Sequence, residues 1–84
     1  MCIDYSEATD VVGAAHVKGE SMDVARAVVA FTHPMQLPLE HALCIDFRAG
    51  NGDPSARMAV ELDRDSARRL AESILTALDD VRST

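Results

Sequence analysis

At Asp63 the hydrophobic period of this chain changes from two residues to about 3.6, and it does so only once. Beyond that point Ala67, Leu70, Ala71, Ile74, Ala77, Leu78 and Val81 recur at helical spacing. Asp63 is a good N-cap, and Asp65 falls in the first turn, where an acid suits the helix dipole. Arg64, Arg68, Arg69, Glu72, Asp79 and Asp80 fall mostly on the outer side. A single amphipathic helix must lay its apolar stripe against something else, and everything upstream of Asp63 alternates like strand. With 84 residues, one modest core is all the chain can build. The expected fold is therefore one α+β domain over residues 1–84.

Four strand segments precede the helix. Thr9 to Lys18 is β-compatible, and Gly19-Glu20-Ser21 supplies a turn signal. Val24 to His33 carries Ala25, Ala27, Val29, Phe31 and His33 on one face. Pro34 and Pro38 lack the N–H that a ladder needs, so the stretch between His33 and His41 must be a loop. His41 to Arg48 sets His41, Leu43, Ile45 and Phe47 against Ala42, Cys44, Asp46 and Arg48, the first set facing the core. Residues 49–55 form a strong turn signal, and Ala56 to Leu62 alternates again with Met58, Val60 and Leu62 inward. The expectation is a four-stranded antiparallel meander with the C-terminal helix packed on one face, ββββα.

Charge narrows the function classes. Eight basic residues against 14 acidic ones leave a formal net charge of −6. That argues against nucleic acid, which needs a basic footprint, and against anionic membrane. No apolar run reaches the roughly 20 residues of a spanning helix. The polar, acidic opening MCIDYSEATD does not read as a signal peptide, so a cytoplasmic setting with two free thiols, Cys2 and Cys44, is expected. Removal of the initiator Met would leave Cys2 first, with an α-amine and a thiol on one residue.

The candidate site lies at the loop. If the second and third strands form a hairpin, His33 and His41 face each other at its mouth, with Cβ atoms roughly 5 Å apart, close enough to share one metal ion. Glu40 beside them is the candidate carboxylate ligand or general base. His16 and Cys2 would complete the set if they converge there. Such ligands suit a transition metal, zinc, iron or copper, better than magnesium or calcium. A separation of seven residues is no recognised ligand spacing. The plainer alternative is a strand terminator at His33-Pro34 and a solvated strand start at Glu40-His41. Cys44 and Tyr5 read as packing residues, residues 51–53 as a turn, and Arg68-Arg69 as a solvated helix face.

The sheet's other face, with Val28, Ala30, Thr32, Ala42 and Cys44, is small and moderately apolar. It points to a homodimer joined sheet to sheet or edge to edge, or to half-polar sheet left in water. Across nearly its whole length the chain resembles a family of short, uncharacterised actinobacterial proteins encoded near specialised-metabolite genes. The resemblance rests on Met1-Cys2, Phe31-Thr32-His33-Pro34, Glu40-His41-Ala42-Leu43 and Ile45-Asp46-Phe47. Pro54-Ser55-Ala56-Arg57, Ala59-Val60-Glu61-Leu62 and Ser66-Ala67-Arg68 carry it further. Relatives in that family carry an acid before the His-Pro pair, where this chain has Thr32. The resemblance implies a biosynthetic context and no particular reaction. Three expectations follow: a metal-binding enzyme or enzyme helper acting on a small-molecule substrate, a module docking a larger biosynthetic enzyme through its uncovered sheet face, and a metal-free histidine acid/base catalyst.

Overall fold

The two strands on either side of Gly19 pair in register up to Val17 and Glu20, leaving a two-residue turn of Lys18 and Gly19. Both turn residues have positive φ, 54° and 81°, the geometry of a type I′ hairpin turn, whose twist matches that of the flanking strands. The sequence signal is displaced by one residue: Lys18 belongs to the turn and not to the strand. The computed structural model describes residues 5–52 and 56–80. In it β1 spans Tyr5–Val17, β2 Glu20–Thr32, β3 Ala42–Arg48, β4 Arg57–Leu62 and α1 Arg64–Asp80. All three strand pairings are antiparallel and the sheet order is β1-β2-β3-β4, the expected meander with one C-terminal helix.

Register decides which side chains share a face. Phe31 pairs with Leu43 and Leu43 with Leu62, while Val29, Ile45 and Val60 form the next row. These rows make the helix face of the sheet. The other, open face carries Val28, Ala30 and Thr32 from β2 and Ala42, Cys44 and Asp46 from β3. In β1 the register slips between Asp10 and Gly13, so three steps on β1 match two on β2, a β-bulge that leaves Val12 wholly in solvent.

Two carboxylates organise the open face. Asp46 accepts hydrogen bonds from Arg48, at 2.9 and 3.2 Å, and from Arg57, at 2.8 and 3.0 Å, pinning β3 to β4. Burial pushes the Asp46 carboxyl up, but the two guanidinium groups outweigh it and hold it below its ordinary range. Glu61, beside Cys44 in the register, accepts the backbone N–H groups of Met35, Gln36 and Leu37 at 2.7, 2.8 and 3.0 Å. The proline loop is thereby drawn against this end of the sheet, where Ala42 is fully buried. Val28, Ala30, Thr32 and Cys44 are half-buried.

The helix starts as expected. Asp63 accepts the Ser66 N–H at 2.8 Å through its side chain, and its carbonyl accepts the Ala67 N–H at 2.9 Å. Its apolar stripe turns toward Val29, Phe31, Leu43 and Ile45, yet exposure climbs along the helix, from 43% at Leu70 through 52% at Ile74 to 67% at Leu78. The helix therefore meets the sheet near its N-terminus and draws away from it toward its C-terminus.

Candidate functional site

Antiparallel register carries the geometry one step past the last ladder pair. Thr32 opposes Ala42, so the next pair outward is His33 and His41. Their rings lie face to face with centroids 5.3 Å apart and planes 21° from parallel. On its other side the His41 ring stacks on Phe31, 5.6 Å away and 14° from parallel. The Arg64 guanidinium, on the first residue of α1, sits 4.8 Å from the Phe31 ring centroid. One ladder results, Arg64–Phe31–His41–His33, built from the start of α1, the end of β2 and the loop that leads into β3. Stacking uses the imidazole faces and leaves their edge nitrogens to solvent, since neither histidine is buried.

Tyr5 pairs with Phe31 and Glu7 with Val29 across β1 and β2, which places both on the ladder's face at the sheet edge. The Tyr5 hydroxyl donates a short hydrogen bond to Glu7, and that bond to a carboxylate holds the phenol above its ordinary range. Tyr5 is 59% exposed, so it is no packing residue.

Beside the ladder the drawn-away helix leaves an apolar groove of about 480 Å³. Val29, Phe31, Leu43 and Ile45 form its floor, and Ala67, Leu70, Ala71 and Ile74 its roof. Arg64 and Arg68 also line it, which corrects their assignment to the outer helix side. Both belong to the first turns of α1, where the Arg64 guanidinium lies over the Phe31 ring.

The expected ligands divide. His33 and His41 come together, with exposed Glu40 next to His41 in the chain. His16 does not join them. It pairs with Ser21 at the far end of the hairpin, roughly 35 Å along β2 from Thr32. Cys2 lies outside the described residues. Among the described residues, no three His, Cys, Asp or Glu side chains gather as a metal-ligand group. Cys44 is a half-buried free thiol, its pKa pushed up by burial and by the nearby Glu61 charge. Sequence reasoning does not single out Arg64, Glu61 or Glu7 as organising residues. The one available signal is position, since Arg64 directly follows the N-cap and Tyr5 and Glu7 alternate on one strand face.

No helix among the described residues is long and apolar enough to cross a membrane. No curated protein and no solved structure matches the chain. A family of unknown function, DUF6295, matches residues 1–84. The chain that carries this ladder and groove therefore belongs to the DUF6295 family.

Proposed function

We propose that this chain is a small ligand-binding protein, an enzyme or enzyme helper, that takes an organic acid with an apolar body into the groove beneath α1. The observation that carries this reading is Arg64, whose guanidinium stands over Phe31 at a groove that is apolar apart from Arg64 and Arg68. A guanidinium offers a planar fork of donors that matches a carboxylate, and its stacking on an aromatic ring fixes the fork's plane. The groove volume lies within the range of small-molecule sites, roughly 300–1,000 Å³. In a chain of net charge −6, a local cation is what makes an anion welcome here. The outer ladder rings, His41 and His33, add a flat surface for an unsaturated ligand. The resemblance to actinobacterial proteins encoded near specialised-metabolite genes supports a ligand of biosynthetic origin, met in the cytoplasm by a homodimer.

Titration of isotope-labelled protein with decanoate and with decanol tests the reading. Decanoate should saturate, shifting the amides of Phe31, Leu43, Arg64 and Ala67 together, and Arg64→Gln should weaken it about tenfold, the loss of roughly one charge-assisted contact. Decanol should bind Arg64→Gln and wild type alike. Absence of saturable shifts with decanoate would end the proposal.

A second reading rests on the side-by-side imidazoles. Zinc, iron or copper would take the edge nitrogens of His33 and His41, with Glu40 or Cys2 as a further ligand or base. Metal analysis of untagged protein tests it: near one equivalent per chain supports the reading, and under about a tenth of an equivalent after reconstitution removes it.

A further inference from the structure

We infer that Glu61 is the positioning residue of the histidine pair: from the open face of the sheet it holds the proline loop so that the His33 ring lies against His41 on the helix face. The inference deepens the second reading above, and rests on it only where a metal is the probe.

The two rings are held in different ways. His41 directly precedes Ala42, the fully buried first residue of β3, and it stacks on Phe31. The sheet itself therefore sets the His41 ring. His33 lies past the last ladder pair, Thr32 with Ala42, and it is exposed. Among the described residues its one ring contact is His41. A single stack offsets little more than the side-chain freedom it removes, so His33 needs another hold.

The chain that follows His33 supplies it. Residues 34–40 are mostly exposed, with only Pro34 and Leu37 half-buried. Among the described residues, three hydrogen bonds tie this loop to the rest of the chain, from the Met35, Gln36 and Leu37 N–H groups at 2.7, 2.8 and 3.0 Å, and all three end on the Glu61 carboxylate. Successive amides turned toward one anion make a concave cradle, and bonds to a charged acceptor are the stronger kind. Only Pro34 separates the first of those amides from His33. Proline locks its own φ and confines the residue before it to extended backbone. The tether from the clamped Met35 N–H to His33 is therefore short and stiff, and fixing the one fixes the other. The path from Leu37 to His41 is longer, which suits a ring that the sheet already holds.

Register puts Glu61 across the sheet from the rings it sets. Glu61 pairs with Cys44 and shares the open face with it, whereas His33 and His41 continue the row of Phe31 and Leu43 on the helix face. The loop passes round the end of the sheet, so a carboxylate on one face fixes the spacing of two imidazoles on the other. Glu61 also stands just before the Asp63 cap and Arg64. One short segment thus secures both ends of the ladder, Arg64 at one and His33 at the other.

Ring NOEs in isotope-labelled wild type, Glu61→Gln and Pro34→Gly test this. Wild type should show NOEs between His33 and His41 and between His41 and Phe31. Glu61→Gln should lose the first and keep the second, a split that general loosening of the sheet end would not give. Pro34→Gly, with the grip intact and only the tether loosened, should also lose the first while the Met35, Gln36 and Leu37 amides keep their wild-type positions. Zinc affinity in Glu61→Gln should fall about tenfold, the low end of what groups that orient metal ligands contribute. A His33–His41 NOE unchanged in both variants overturns the inference. Loss of both NOEs in Glu61→Gln overturns it too, since Glu61 would then support the whole sheet end. Wild type that takes up no zinc removes the metal reading alone.

Discussion

At Lys18 the chain holds an L side chain in the left-handed region, φ 54°, the single non-glycine residue with positive φ among those described. The type I′ turn demands this of both its central residues, and Gly19 meets the demand without a Cβ clash. Lysine does not, and the ordinary cost of that conformation is roughly 1 kcal/mol or more. Asparagine tolerates it best after glycine. Lys18→Asn is therefore expected to stabilise the protein by about 1 kcal/mol, raising Tm by roughly 4–8 °C in thermal unfolding followed by circular dichroism. An unchanged or lowered Tm would show that the turn does not limit hairpin stability. The sequence marks a turn near here but leaves Lys18 in the strand, because a lysine carries no sign of left-handed backbone. Its conformation is imposed by the register of Val17 with Glu20.

Elements whose residues obey one period are legible in the sequence alone: the four strands alternate, the helix repeats, and Asp63 caps it as its position demands. The pairing of His33 with His41 follows from that alternation as well. What escapes depends on contacts between elements. Glu61 reads as an outward strand residue, yet its partners are backbone amides about 25 residues upstream in a loop with no period. The first and largest of those contacts, from the Met35 N–H, together with Gln36 and Leu37, holds the Glu61 carboxyl below its ordinary range against the opposing effect of desolvation. A carboxyl lowered in the folded chain contributes stability above its unfolded pKa and loses it as pH falls through the folded one. Acidification below the ordinary glutamate range should therefore release the loop before the sheet unfolds. The Met35, Gln36 and Leu37 amide resonances should move upfield together in an NMR pH titration, with one midpoint below that of an exposed glutamate. Glu61→Gln should leave them near their acid positions at neutral pH, and three independent or flat titrations would show that the latch is not formed.

The whole molecule is long for its mass. Its radius of gyration is 14.2 Å, where a compact 84-residue domain has about 12 Å, and its extents are 44 × 33 × 24 Å. Part of that length is the β1–β2 hairpin, which runs on past the end of β3, since β3 reaches only from Arg26 to Thr32 on β2. The rest is a helix that leaves its sheet. Both features expose surface that a chain this small has little means to offset, because the buried hydrophobic side chains among the described residues are Val24, Ala27 and Ala42. Domains of this size owe their stability to a nearly complete single core or to association. Under the proposed homodimer, association is part of folding, and mass action enters the melting temperature. For a dimer of two such chains, each tenfold rise in protein concentration should raise Tm by roughly 4 °C, given an unfolding enthalpy of about 0.7 kcal/mol per residue. Calorimetry across a hundredfold range of concentration reads this without altering any residue. A Tm that does not move would mean that the single chain is stable as it stands, with its helix stripe and groove open to whatever ligand they meet.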